Sequence, residues 1–377
     1  MELRPEMYEI ADAAEIITPA LLIYPNIVDA NIAATVRLAG GDPNRWRPHI
    51  KTVKSSAVLS RLAVQGVVNL KCSTTLELLL ACRSGAADVL LAFPVVGANA
   101  ARAAEIAREF TKTRVSVLIE TPDHVAFWMR QNIGIFIDVN PGMDRTGISQ
   151  DRIDAITALA RSAGDNFRGL HYYDGHMSAP DYAERERQAH QGYDRLLRIV
   201  QRLAEDGIPV GEVITSGTPA APCAMSYPGF RNTTFIHRIS PGTVVFNDLN
   251  SLKQLPGYGY APAAVVLSTV VSKPGTNFIT CDAGHKSVSA DSGVPTCAVI
   301  GRSGLTPLKP SEEHLPMEAT AGTEAPAIGD QLYLLPKHIC PSVNNFDEAL
   351  FIVDGRIHSV EPIGARGHER PTAAAIA

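Results

Sequence analysis

Between about residue 45 and residue 245, short runs of aliphatic and β-branched residues alternate with longer Ala-, Leu- and Arg-rich stretches whose apolar positions recur at helical spacing. This is the pattern of repeated strand–helix units. Eight strand candidates end near Thr52, Cys72, Phe93, Glu120, Asn140, Tyr173, Ser216 and Ser240, and the clearest helices between them cover 99–110, 151–162 and 183–205. Eight parallel strands with their helices close into a barrel whose chemistry sits at the C-terminal strand ends. Beyond about Pro256 the helical period disappears, and 264–272, 278–281, 296–300, 331–335 and 349–353 read as short strands between Gly, Pro and Asp turns. The expected architecture is α/β: a (β/α)8 TIM-like barrel over 26–255, and a second, all-β domain formed by 1–25 and 256–377. Residues 16–24 are expected to add a strand to the second domain, and the tail from Gly364 is expected to be poorly ordered.

Composition narrows the class. At 377 residues the chain exceeds what one hydrophobic core usually fills. With 45% apolar residues, 19% charged residues and a net charge of -5, it has neither the bias of disorder nor a basic field for nucleic acid. The start lacks the basic-then-apolar pattern of a signal peptide and no apolar run is long enough to span a bilayer, so a cytoplasmic location is expected. The six cysteines are dispersed without Cys-x-x-Cys spacing, which predicts reduced thiols.

Against this background the unusual residues gather at strand ends. Lys51 follows a short apolar-flanked run, where desolvation would depress its pKa and fit it to hold an aldehyde as a Schiff base; from this stretch alone the ordinary solvated surface lysine is the commoner reading. Thr215-Ser216-Gly217-Thr218-Pro219 and Ser240-Pro241-Gly242-Thr243 place small residues and hydroxyls just after the last two strands, where barrel phosphate sites lie; each alone also reads as an ordinary turn. Arg145 follows the fifth strand in a Gly-containing loop, fit to pair with a phenolate or carboxylate or to stay in solvent. Alternation turns His171 and Tyr173 to one face, and His176 lies just beyond, either a base or a solvent-facing histidine. His338 and Cys340, two apart, would share a face of a strand, and imidazole with thiolate suits zinc at an open, substrate-binding site; the competing reading is a buried cysteine beside an unrelated histidine. His314 reads as a surface residue.

The ordered set is more specific than any one motif. Pro48-His49-Ile50-Lys51-Thr52, Lys71-Cys72-Ser73-Thr74 with Glu77, Asp144-Arg145-Thr146-Gly147, Gly169-Leu170 with Tyr173 and Gly175, Ser240-Pro241-Gly242-Thr243, Asp282-x-Gly284-His285-Lys286 and His338-x-Cys340-Pro341 follow one another across 16–362. The chain thereby resembles the D-threonine aldolase and D-serine dehydratase group of pyridoxal-phosphate enzymes, which share the alanine racemase type of barrel plus β-domain. The resemblance implies that Lys51 carries pyridoxal 5'-phosphate, Arg145 faces its phenolic oxygen and Tyr173 lines the ring. It implies that Ser216, Gly217, Thr218, Gly242 and Thr243 hold the phosphate, and that His338 and Cys340 ligate a divalent metal (Mn, Mg or Zn) over the barrel mouth. A homodimer with shared sites is the implied assembly. Departures are informative: the Tyr-Gly-His-Gly run of racemases is absent after Lys51, Val53 stands where many of the group have histidine, and Ser240 stands where racemases tend to have arginine.

Two reactions fit. Cleavage of a D-3-hydroxy amino acid such as D-threonine, to glycine and an aldehyde, requires the β-hydroxyl to lose its proton, to His176 or to a metal-bound water, while the ring takes the electron pair. Dehydration of D-serine or 3-hydroxyaspartate to a keto acid uses the same groups, and Cys340 pulls toward it. The Gly169–His176 segment favours the aldolase, the reading adopted here. A pyridoxal-phosphate-holding protein without turnover would need Lys51 and the loops but not His338 and Cys340.

Overall fold

The computed structural model describes residues 4–131 and 133–371, arranged as two compact units. One takes in the N-terminal stretch through Ala34, Thr52–Arg61 and Thr243–Gly367, and the other Thr35–Lys51 and Leu62–Gly242. After β1 (Ala20–Ile23) and α1 (Pro25–Leu38) the chain lays down seven parallel strands: β2 (Asn69–Cys72), β3 (Asp88–Leu91), β4 (Arg114–Ile119), β5 (Gly134–Asn140), β7 (Phe167–Tyr172), β8 (Glu212–Thr215) and β9 (Ile236–Ile239). The two-residue β6 (Ile148–Ser149) pairs on β5. Between them in the chain come α2 (Ser56–Val64), α3 (Thr75–Arg83), α4 (Gly97–Glu109), α5 (Pro122–Met129), α6 (Ile153–Ala163), α7 (Tyr182–Glu205) and α8 (Ala221–Ser226). The seven strand ends fall within two residues of the expected ones, because parallel strands buried on both faces read as uninterrupted apolar runs.

The expected first strand is not a regular one. Trp46 bridges Ile239 and His49 bridges Lys71, so an extended segment touches both edge strands and closes the ring through isolated bridges. The Arg47 amide donates to the Ile239 carbonyl and the Ile50 amide to that of Lys71. Lys51 therefore sits in the turn that follows, not on a strand.

The N-terminal ends of the strands are locked by ions. Arg47, fully buried, donates to Asp88 at 2.8 Å and to both oxygens of Glu212 at 2.9 and 3.0 Å. Arg168 pairs with Asp88 at 2.7 Å, and Arg238 with Glu212. Burial opposes the charge on Asp88, but Arg47 and Arg168 outweigh it and bring the carboxyl down to about 2.

The other unit is mostly β. β1 pairs antiparallel with β10 (Ala264–Gly275) and parallel with β16 (Glu348–Val353), as a strand from the expected 16–24 region should. β11 (Phe278–Cys281), β12 (Cys297–Val299), β13 (Leu305–Pro307), β14 (Leu315–Ala319), β15 (Gln331–Pro336) and β17 (Arg356–Pro362) complete its nine-stranded sheet. The β13, β14 and β17 strands were not anticipated: each carries Pro, and β17 has no buried residue to mark it. Helix is not absent beyond Pro256, since α10 (Ile339–Val343) interrupts the β texture, while α9 (Leu249–Gln254) falls just before that point.

The tail is tied down where it is described. Lys54 Nζ donates to the Ala365 carbonyl, the Ala365 amide donates back to Lys54, and Arg366 pairs with Asp347. Residues 372–377 of the expected disordered tail lie outside the described residues. All six cysteines are buried and none forms a disulfide. Among the described residues no helix is long and apolar enough to cross a membrane.

Candidate active site

In the barrel unit, the loop after β5 shows how local hydrogen bonding aims a side chain. Asn140 Oδ1 accepts from the amides of Gly142 and Asp144, its Nδ2 donates to Asp144, and Thr146 Oγ1 donates to Asp138 at 2.8 Å. Gly147, at φ +93, packs its backbone so close that a Cβ would stand 2.8 Å from the Asp138 carbonyl oxygen. So braced, the loop brings the Arg145 guanidinium 4.8 Å from the centroid of the Tyr173 ring. Lys71 Nζ lies 5.4 Å from the same centroid. Tyr173 is itself clasped by glycines, since a Cβ at Gly175 would stand 2.5 Å from its ring and one at Gly217 3.1 Å.

Lys71, on β2, stood in the sequence as a motif residue without a role; its place inside the barrel is the main thing sequence reasoning missed. It is buried, and it contacts His171 Nε2 at 3.4 Å, while His171 Nδ1 meets Asp138 Oδ1 at 2.7 Å. Burial holds His171 neutral, so its Nδ1–H donates to the Asp138 carboxylate and Nε2 is left to accept from Lys71. Burial and then the charge of Lys51 pull the Lys71 amine down to about 7. The available signal was a titratable residue within an otherwise apolar strand, repeated at Asp138 on β5 and His171 on β7. Asp174, two residues past the end of β7, is also buried, and burial raises it to about 6 although Tyr193 donates to it at 2.6 Å.

The two loops after β8 and β9 carry the features an anion site needs. Ser216 is held at φ +63, a left-handed conformation that costs a non-glycine residue about 1–3 kcal/mol. Its hydroxyl and that of Ser240 are both buried without a hydrogen-bond partner. Gly217 and Thr218 follow, also buried. At the second loop Trp46 Nε1 donates to the Pro241 carbonyl at 2.9 Å, and a Cβ on Gly242 would stand 2.2 Å from the His49 carbonyl oxygen. Strained backbone and uncommitted hydroxyls on adjacent strands fit a phosphate group. Lys51 is half-buried, its amide donating to His49 Nδ1 at 3.3 Å. His176 is exposed, in the loop after β7, and partial burial keeps it neutral more than Asp144 favours its charge.

In the other unit, His338 and Cys340 are not on a strand. His338 is the extended residue capping α10 and Cys340 lies in its first turn, so the two-residue alternation does not apply. Their side chains still meet, because His338 keeps β-type dihedrals that swing its ring over the helix start. Asp248 fixes this arrangement: one oxygen caps α9 through the Ser251 amide, and the other accepts from the Ile339 amide. Asp291 holds His338 Nδ1 at 2.6 Å, a carboxylate behind an imidazole as in many metal sites. Burial opposes charge on His338, but the Cys340 sulfur and Asp291 outweigh it and push the imidazole up to about 9. Groups that draw in a proton so strongly also suit a cation, and the pair fits a divalent ion with open positions. Asp291 stands behind the imidazole, and among the described residues no group of three or more His, Cys, Asp and Glu is arranged to hold a metal ion. Cys340 Sγ also lies 3.0 Å from Thr52 Oγ1 and 3.5 Å from Thr243 Oγ1, the residues that follow Lys51 and Gly242 in the chain. His314 is exposed, as expected.

Comparison with known proteins gives the same frame. A family model described as "Alanine racemase, N-terminal domain" matches residues 23–248, and one described as "Putative serine dehydratase domain" matches 263–352. The chain is 29% identical to a D-threonine aldolase from Arthrobacter sp. over 95% of this chain and 94% of that protein. It is 26% identical to a 3-hydroxy-D-aspartate aldolase from Paracoccus denitrificans (strain Pd 1222), covering 94% of each. The solved D-threonine aldolase from Filomicrobium marinum has the same fold, with a TM-score of 0.85 at 24% identity over 94% of this chain and 96% of that one.

Proposed function

This chain belongs to the alanine racemase N-terminal domain family, and from that premise we propose that it is a pyridoxal-phosphate- and metal-dependent lyase that cleaves D-3-hydroxy amino acids to glycine and an aldehyde. The observation that carries the reading is the pair of buried, unpartnered serine hydroxyls, Ser216 and Ser240, on neighbouring strands of a barrel that also gathers Lys71 and Arg145 around Tyr173. Lys51 would hold the cofactor aldehyde. The phosphate would lie on Ser216, Gly217, Thr218, Gly242 and Thr243, the phenolic oxygen against Arg145 and the ring on Tyr173. Bound pyridoxal phosphate supplies an electron sink for a breaking bond at the α-carbon. A divalent ion on His338 and Cys340 supplies Lewis acidity at a hydroxyl oxygen.

The chain's own residues then have separable duties. His176, neutral at physiological pH, is fit to accept the hydroxyl proton as bond cleavage proceeds. Arg145, aimed by the braced β5 loop, gives an anionic oxygen a fixed charge with little reorganisation. Asp291 orients His338 so that one ring nitrogen stays available to a metal.

Similarity to D-threonine and 3-hydroxy-D-aspartate aldolases over nearly the whole chain supports cleavage. Dehydration is the second reading, supported by the serine dehydratase domain match over 263–352 and by a thiol at 340. Product analysis with D-threonine and D-serine in parallel separates them: glycine with acetaldehyde is expected, whereas pyruvate from D-serine with D-threonine left uncleaved would replace the aldolase by the dehydratase. His338→Ala should lower turnover by about a hundredfold or more while leaving cofactor absorbance in place. Unchanged turnover would remove the metal from the reaction.

A further inference from the structure

We infer that Thr52 is a positioning residue of the metal site, its hydroxyl donating to the thiolate of Cys340 and fixing where that sulfur can meet an ion. The inference rests on the reading that His338 and Cys340 hold a divalent metal. All the atoms concerned lie in the β unit. Thr52 is buried and its Oγ1 stands 3.0 Å from Cys340 Sγ, with Thr243 Oγ1 farther off at 3.5 Å. The two metal-binding candidates thus have matching supports: Asp291 holds the His338 imidazole at 2.6 Å, and Thr52 holds the sulfur.

The chemistry sets the direction of this bond. A cysteine ligates as the thiolate, so its proton leaves when a metal ion binds, and from then on the sulfur can only accept. The hydroxyl must then be the donor. Cys340 is buried, so a protein hydroxyl has to do for its negative charge what water does for an exposed thiolate. Both partners are seated by bonds of their own. Two residues beyond Thr52, Lys54 Nζ donates to the Ala365 carbonyl at 3.0 Å and the Ala365 amide donates back to the Lys54 carbonyl at 3.2 Å. On the Cys340 side, the Ile339 amide donates to Asp248 and Ser342 Oγ donates to the His338 carbonyl at 3.1 Å, which fixes the start of α10. Thr52 is the cleaner of the two hydroxyls to test, because Thr243 also belongs to the proposed phosphate site. Serine keeps the hydroxyl of threonine, whereas valine keeps its shape and loses the donor.

The test uses the pyridoxal-phosphate-loaded protein, freed of metal with a chelator and titrated with Co(II) and with Zn(II). The thiolate-to-cobalt charge-transfer band is read as the difference between the cobalt- and zinc-loaded forms, in which the cofactor's own absorption cancels. Thr52→Val is expected to bind Co(II) about tenfold more weakly than wild type and to move the band to longer wavelength, because a sulfur that has lost its donor gives up an electron more readily. Thr52→Ser should stay within about threefold of wild-type affinity, with the band in place. Wild-type affinity and an unmoved band in Thr52→Val would overturn the inference. Equal weakening in both variants with an unmoved band would overturn it too, since that is what lost packing alone produces. Cys340→Ser separates the two levels. If wild type shows no such band, or Cys340→Ser keeps it, the metal reading fails and the inference with it; if the band needs Cys340 and the Thr52 variants match wild type, only the present inference fails.

Discussion

Lys51→Ala is expected to yield a colourless protein whose turnover of D-threonine falls by about a thousandfold or more, the scale on which loss of a covalent or acid–base group acts. The fold should survive. Lys51 is half-buried in a turn after the bridges that close the barrel, and the backbone bonds beside it, from the Ile50 amide to the Lys71 carbonyl and from the Lys71 amide to the Pro48 carbonyl, do not use its side chain. Unfolding midpoints should therefore shift by little, about 0.5 kcal/mol, which separates loss of chemistry from loss of structure. Borohydride reduction of wild type followed by peptide mapping should label Lys51. A label on Lys71, the other amine of the pocket, would move the linkage by one strand and recast Lys51 as its neighbour. Visible absorbance persisting in Lys51→Ala would sink the assignment.

Glu212→Ala should have the largest effect on stability, about 3–5 kcal/mol, because it strands cations that have no route to water. Arg47 loses two of its carboxylate contacts and Arg238 its ion pair, while Asp88 is left to serve Arg47 and Arg168. For a chain of this size that is a fall of roughly five degrees in the thermal midpoint. Glu212 begins β8, at the strand ends opposite those that carry chemistry in barrels, so cofactor absorbance of the remaining folded protein should be unchanged. A loss below about 1 kcal/mol by urea unfolding would show that the cluster is solvated. The cluster also sets an acid limit. Asp88 is depressed in the folded state, so its contribution is complete above about pH 4 and drains away as pH falls towards 2.

The barrel and the second β unit were legible because burial on both faces of a parallel strand leaves a continuous apolar run, and helical spacing between runs marks each crossover. The small-residue loops at Ser216 and Ser240 and the lysine at 51 were visible for a similar local reason: each follows directly on the end of such a run. Legibility failed where spacing was read without knowing the element. His338 and Cys340 looked like strand neighbours, yet β15 stops at Pro336 and a helix begins, so what joins them is the cap conformation and the carboxylates of Asp248 and Asp291. Lys71 and His171 are 100 residues apart, and His171 and Asp138 33 apart, so no motif window contains them together. Sequence alone determined the order of elements and the strand ends at which chemistry could stand, since periodicity records the burial of each residue along its own segment. Only the tertiary structure decided which charged atoms meet inside the barrel, because that depends on register between strands, where a shift of one residue turns a side chain to the opposite face.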